Sequence, residues 1–414
     1  MEIERYFSTL SVDQVKNILA KKVNFKPKLE EISINDALNC VIAENIISKI
    51  DVPQFIKSRM DGYAVIAEDT FDAEENHPIK LRVIGEIQAG YFFEGKLSTG
   101  EAVQIATGAP IPDGADAIVM VEYTERNNDE VLIHKASTPG QNVIKTGTDI
   151  KKGSKVISKG KLLNIRDLGV LAAINIQKLK VFSPPKIGIF STGDELIQSG
   201  QELSLGKIYD INSTTLFQGI KEAGGKPTFL GILKDNLELM RKVINENLEK
   251  FDILLISGGT SKGLGDFMPI IIKEIKDLDF FIHGIRIKPG KPTILAGLKK
   301  SDDYKILAIL PGYPTSALTI FYQLISPLIF EFRQLPPKKY NTVKAKLRKR
   351  IYSEFGRREY RMVRLFYEQE IEAEAIHTGS ESITTLANTD GYIIILEDTQ
   401  ILEEGEMVDI VLFS

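Results

Sequence analysis

Apolar residues recur along the chain in two rhythms, and the changes between them divide it. Behind Ser11, whose hydroxyl is placed to cap a first turn, Val12, Val15, Ile18 and Leu19 fall at helical spacing, so residues 1–50 read as helical. From 51 to 144 the rhythm shortens. Runs such as KLRVIGEI and DAIVMVEY stand between Gly, Pro and Asp/Asn clusters, which predicts an inserted β-rich domain. Residues 166–174 are apolar at helical intervals again, and by order along the chain 145–180 is expected to join 1–50 in one noncontiguous N-terminal/linking domain.

After Ser183, Pro184 and Pro185, strand and helix alternate. KIGIF (186–190), PTFLGIL (227–233) and DILLIS (252–257) predict strands, 212–223 and 236–248 predict helices, and TILAGL and KILAIL precede a helix over 315–332. Apolar strands alternating with helices imply a mostly parallel sheet covered on both faces, which makes 181–335 an α/β domain. LPPKK at 335–339 breaks the pattern, and 336–414 return to β alternation, a smaller C-terminal domain of β-barrel-like type. The predicted fold class is multidomain α/β plus β.

The 414 residues are 43% hydrophobic and 26% charged, an ordinary globular composition with room for two to four domains. Lys and Arg number 52 against 56 Asp and Glu, so nucleic acid is disfavoured as the main partner. A single cysteine, Cys40, excludes an internal disulfide, and four scattered histidines assemble no zinc-ligand spacing. The first residues carry no legible signal peptide, and the apolar stretch 318–332 is interrupted by Gln323, Ser326 and Pro327 and reads as too short for a bilayer. A soluble, cytoplasmic protein is expected.

Open parallel sheets bind ligands outside the carboxyl ends of their strands. There this chain carries STGDEL with Ser191, Thr192, Gly193, Asp194 and Glu195, then Lys234 and Asp235, then GGTSKGLGD with Gly258, Gly259, Ser261, Lys262 and Asp266. KPGKP follows with Lys288, Gly290 and Lys291, and PGYP with Pro311 and Pro314. Glycines let backbone N–H groups approach an anion, hydroxyls add donors and lysines add charge, so these form the candidate substrate-binding set. Glu195, Asp235 and Asp266 could share one Mg²⁺, an ion held by a few carboxylates plus waters and substrate phosphates. Taken singly, the Gly-Gly pair also reads as a tight turn, Asp194 as a helix cap, and each acid as an exposed loop residue. Neither a P-loop nor a strand leading into GxGxxG is present, and no nucleophilic set is apparent. The basic stretch from Lys344 to Arg364 reads as a solvated strand face, with anion binding by Arg357 or Arg358 as the sharper alternative and RNA binding as a third.

MDGYA, QIATGAPIP, STGDEL, IYDIN, SGGTSKGLGD, IKPGKP and PGYPTSAL occur in an order that resembles the MoeA family of molybdopterin molybdenumtransferases, which includes the gephyrin E domain. The resemblance runs from about residue 5 to the C-terminus. It implies a homodimer with four domains per chain, and a reaction in which adenylylated molybdopterin and molybdate, or tungstate, give the molybdenum cofactor and AMP with Mg²⁺ or another divalent ion. It implies a molybdopterin adenylyltransferase as partner, and the charge balance and apolar pattern add the expectation of no nucleic acid and no membrane. Carried over residue by residue, the catalytic set is Asp61, Thr107, Asp149, Glu195, Asp235 and Asp266, with Asp61 and Thr107 of one protomer expected to face the α/β domain of the other. Lys288 and Lys291 would hold phosphate or the incoming oxyanion. The chain departs from the family at Lys262, where GGVSVG is usual, and at Tyr313, where PGNP is usual. A gephyrin-like binding or scaffold module without transferase activity is the alternative, and a generic Mg²⁺-dependent nucleotide-processing enzyme lies between the two.

Overall fold

The computed structural model describes residues 4–6, 9–234, 236–258, 264–300, 303–376, 379 and 381–413, with only the backbone described for 4–6 and 264–267. The chain forms two compact units, one of residues 1–30, 39–41 and 181–414, the other of 31–38 and 42–180.

The first unit is built on a seven-stranded sheet. Its order is Glu4–Tyr6, Leu278–His283, Ile294–Lys300, Asp303–Leu310, Ile253–Ser257, Lys186–Thr192, Lys226–Leu233. The last four are parallel neighbours, as their apolar runs predict, while Ile294–Lys300 is antiparallel to both of its neighbours. A connection of only two residues, 301–302, separates Ile294–Lys300 from Asp303–Leu310, so they form a hairpin: a parallel neighbour would need a long crossover. One face of the sheet buries Leu216, Ile220, Ala317, Phe321 and Ile329 together with Val12, Val15 and Leu19. The other buries Met240, Ile244, Ile271 and Ile272.

Of the described residues up to 50 only Val12–Lys22 is α-helical, opened by a capping box in which Ser11 accepts from the N–H of Gln14 and Gln14 accepts from the N–H of Ser11. Beyond it Leu29–Ser33 is a strand, because Pro27 forecloses a longer helix and the β run pairs with Lys178–Phe182. The 315–332 helix starts at Pro314 and runs 19 residues to Phe332, with a π turn at Phe321–Ile325. It is longer than the apolar stretch suggested, and by length and composition could cross a membrane. Most of it is instead buried in the core, including Ile320, Phe321, Leu324 and Ile329.

Between two strands of the central sheet the chain makes an excursion. Ile285–Lys288 leaves to pair with Arg358–Tyr367 before Ile294–Lys300 returns. Arg358–Tyr367 belongs to a C-terminal sheet that closes on itself: it pairs with Ile371–Ala375, which leads through Thr342–Leu347 and Met407–Leu412 to Gly391–Ile395 and back to Arg358–Tyr367. Ala345, Val363, Ala373 and Ile410 fill this barrel.

The second unit holds a six-stranded sheet in the order Ala117–Met120, Gly62–Val65, Glu101–Ile105, Ile79–Ile87, Glu130–Ile133, Thr124–Asn127, with side chains such as Val65, Val119 and Val131 buried on one face and Ile87, Val103 and Ile118 on the other. Smaller ladders join Ile46–Ile47 to Lys155–Ile157 and Lys57–Ser58 to Val143–Ile144. The helix read at 166–174 spans Ile165–Ala173, capped by Asn164.

Candidate functional site

Lys186–Thr192 and Ile253–Ser257 are adjacent, yet the chain runs from the first outward to Lys226–Leu233 before returning to the second. Strand order therefore reverses between them, and in open α/β sheets that is where ligands bind. Here the two strand ends nearly touch. Gly258 has φ +99°, and a Cβ on it would lie 2.4 Å from the carbonyl oxygen of Thr192, so only glycine fits. A cavity of about 1330 Å³ opens at this point, large enough for a cofactor-sized ligand.

Of the sequence-predicted residues, Thr192, Gly193, Glu195, Gly258, Lys288, Gly290, Lys291, Pro311 and Pro314 line this one cavity. Ser191 is buried one position behind Thr192, its hydroxyl without a partner among the described residues. Gly259, Ser261, Lys262 and Asp235 lie outside the described residues. Asp266 falls in the helix Leu264–Glu274, and its side chain is likewise outside them. Asp194 caps no helix: STGDEL runs into the short strand Leu196–Ile197, which pairs with Ile208–Tyr209, and the next helix starts only at Asn212.

Glu195 is exposed at the cavity wall, and a Cβ on Gly193 would lie 2.6 Å from both of its carboxylate oxygens. A side chain at 193 would thus fill the space that the carboxylate occupies. Such a carboxylate, without a counter-ion among the described residues, suits a hard cation. Among the described residues no group of three His, Cys, Asp or Glu side chains could hold a metal, so Glu195 would need Asp235 and Asp266 to complete the predicted set.

The cationic wall comes from the excursion strand and the barrel. Lys288 Nζ lies 3.4 Å from Glu359 Oε2, and Arg361 pairs with the other oxygen at 2.5 Å. Glu359 is only 3% exposed and also accepts from Ser353 Oγ at 2.8 Å. A buried carboxylate thus sets two cations at the cavity, with Lys291 and Arg357 on the same wall. Arg358 does not serve as an anion site: it makes a bidentate pair with Asp13, both bonds 2.7 Å, and a further contact with Glu397. The rest of the basic stretch is a solvated face, as composition suggests, with Arg348, Lys349 and Arg350 paired to Glu372, Glu374 and Glu403.

The reading of the sequence missed Asp210, Asn212 and Glu359. IYDIN marked the first two only as part of a motif, although an Asp placed just before a helical run is a usable signal. Both side chains are buried in the cavity wall, and each keeps one oxygen without a partner among the described residues. Tyr313, exposed, lines the same cavity.

Asp61, Thr107 and Asp149 lie in the second unit. The antiparallel register of Gly62 with Ile105 sets Asp61 beside the chain that follows Ile105, and Asp61 accepts from the Thr107 N–H at 2.7 Å and its hydroxyl at 3.0 Å. These two bonds, the backbone one first, hold the Asp61 carboxyl below the usual carboxylate range. Gly62 is required here, since a Cβ would sit 1.9 Å from the Val119 carbonyl oxygen. Asp149 is exposed, its N–H donating to the Val52 carbonyl at 3.1 Å.

Comparison with known proteins covers almost the whole chain. Residues 10–175 match the MoeA N-terminal region (domain I and II), 188–331 a probable molybdopterin binding domain, and 344–413 the MoeA C-terminal region (domain IV). A putative molybdopterin biosynthesis protein of Methanocaldococcus jannaschii is 36% identical over 405 residues, 96% of this chain and 95% of that one. A molybdopterin molybdenumtransferase of Haemophilus influenzae is 32% identical over 416 residues, 98% and 99% of the two chains. The crystal structure of the molybdopterin biosynthesis protein MoeA from Pyrococcus horikoshii is similar with a TM-score of 0.84 at 38% identity, covering 98% of this chain and all of that one. With the motifs, the sheet order, the closed C-terminal barrel and these full-length relatives in agreement, the chain belongs to the MoeA family.

Proposed function

We propose that the protein acts in molybdenum cofactor biosynthesis, inserting molybdate or tungstate into adenylylated molybdopterin and releasing AMP. The observation that carries this reading is the cavity at the strand-order reversal, whose lining includes Lys288, Lys291, Arg357 and Arg361 together with Glu195. An oxyanion with two negative charges and a phosphoanhydride both need cations, and carboxylates alone would repel them. The segment matching the probable molybdopterin binding domain supplies most of that wall, and curated relatives carry the transferase name.

In this reading Lys288 and Lys291 hold the oxyanion or phosphate by charge-assisted hydrogen bonds. Backbone N–H groups around Gly290 add donors, while the Gly258 N–H is taken by the Leu310 carbonyl at 3.0 Å. Glu195, with Asp235 and Asp266, would hold Mg²⁺, which when bound neutralises charge on the phosphoanhydride and on departing AMP. The dithiolene sulfurs belong to the pterin, so the reaction asks no thiol of the protein, in keeping with a single cysteine. The enzyme works as a cytoplasmic homodimer downstream of a molybdopterin adenylyltransferase. Exposed Phe55, Ile56 and Met60, just before Asp61, support a covered surface there.

AMP release from adenylylated molybdopterin with Mg²⁺, measured with and without molybdate or tungstate on wild type and Glu195→Gln, tests the proposal. Oxyanion-stimulated release that the variant loses is expected. No release by wild type under any condition would overturn it and leave a binding or scaffold module in its place.

A further inference from the structure

The cations account for the anionic ends of a ligand, yet a second part of the cavity wall has the opposite character. Asp210 and Asn212, each 7% exposed, lie where the chain enters the helix Asn212–Glu222. The Asp210 N–H donates to the Ile197 carbonyl at 2.9 Å, which pins the residue, and one carboxylate oxygen accepts from the Ser213 N–H at 3.1 Å. That carboxylate occupies the N-terminus of the helix itself and so keeps phosphate away from it. Its other oxygen is buried in the cavity wall with no partner among the described residues.

The amide of Asn212 can be oriented from its contacts alone. Its Nδ2 lies 2.7 Å from the Gly312 carbonyl oxygen, which can only accept, and 2.7 Å from Ser257 Oγ. The nitrogen must therefore face Gly312, and Oδ1 is the atom turned away from it, again buried and without a partner among the described residues, in a side chain that lines the cavity. The Thr192 hydroxyl, 3% exposed and also unpartnered among them, lines the same cavity.

Two buried acceptors without donors among the described residues cost stability, and a ligand that supplies N–H groups relieves both. An oxyanion, a phosphate or a sulfur has none to give. The adenine amine lies next to a ring acceptor, so adenine would satisfy one of the two oxygens and set a lone pair against the other. A 2-amino-4-oxopyrimidine edge carries a ring N–H and an amine side by side, both donors. Resting on the proposed reaction for the identity of the ligand, we infer that Asp210 and Asn212 read the 2-aminopyrimidinone edge of the pterin. The Thr192 hydroxyl can rotate to donate to the 4-oxo group. The cavity lining then carries two kinds of group, buried acceptors for the ring and cations for the anions.

Fluorescence titration of the full chain with pterin, with lumazine, which has an oxo group in place of the 2-amine, and with adenosine tests the assignment. Wild type is expected to prefer pterin over both by about tenfold to hundredfold, and Asp210→Asn to reduce that preference to within about threefold. Equal binding of pterin and lumazine by wild type, tighter binding of adenosine than of pterin, or an undiminished preference in Asp210→Asn would each overturn it. A thermal melt establishes that the variant is folded. If it is not, the wild-type preference among the three probes decides. Oxyanion-stimulated AMP release without pterin preference would sink this inference and leave the transferase reading standing, and pterin preference without AMP release would do the reverse.

Discussion

Lys288 and Glu359 sit directly opposite each other on neighbouring parallel strands, and the lysine nitrogen lies 3.4 Å from a carboxylate oxygen that solvent hardly reaches. Glu359 also holds Arg361, so one buried anion aligns two cations that face the cavity. Glu359→Gln would put an amide among groups that all donate. A loss of about 1–3 kcal/mol in urea denaturation is expected, with a raised KM for the oxyanion as Lys288 loses its anchor. Unchanged stability together with an unchanged KM would contradict the positioning role.

Lys288→Ala and Lys291→Ala each remove one charge from the proposed oxyanion site. Each is expected to weaken the molybdate dependence of AMP release by about tenfold, the equivalent of 1.4 kcal/mol. Molybdate saturation curves read this directly, and a variant with the wild-type curve would remove that lysine from the site.

Asp13 and Arg358 join the first turn of the helix Val12–Lys22 to the barrel strand Arg358–Tyr367. The hydrogen bonds from Arg358 hold the Asp13 carboxyl below its ordinary value. A folded-state pKa below the unfolded one means that the stabilisation is fully present above the unfolded value, about 3.9, and is lost as pH falls through the lower folded one. Asp13 is largely exposed, so the pair contributes at most about 1 kcal/mol. Asp13→Asn should lower Tm at pH 7, and the gap to wild type should close as pH falls below the unfolded value. A gap that persists in acid would assign the contact to packing.

Thr107→Val keeps the backbone donor to Asp61 and removes the hydroxyl. Because the N–H is the larger of the two influences, the Asp61 pKa should rise part of the way and remain below the ordinary range, while Thr107→Ser leaves it where it is. NMR titration of the Asp61 carboxyl checks this. A return to the ordinary value would mean that the backbone bond depends on the hydroxyl.

The parallel strands and their helices were legible because Ile, Leu and Phe runs alternate with helical spacing, and strand ends in such a sheet point to ligands wherever the rest of the chain goes. The helix Leu264–Glu274 was not, since its Gly and Pro269 read as loop and its apolar residues join a core assembled from other segments. Asp210 and Asn212 look like ordinary turn residues until Ile197, Ser257 and Gly312, far apart in sequence, close around them. Glu359, set among arginines, reads as one more surface charge. Its burial comes from pairing with Ile285–Lys288, a partner more than seventy residues earlier.

That excursion strand makes the barrel indispensable to a site whose motifs lie almost wholly outside it. A chain cut after residue 335 would keep every strand of the central sheet, yet Ile285–Lys288 would be left with Leu10–Ser11 as its sole sheet neighbour among the described residues, and Lys288 with no counter-ion. The central domain grafted alone onto another scaffold would keep Lys288 and Lys291 but lose Glu359, the carboxylate that aligns Lys288, together with Arg357 and Arg361.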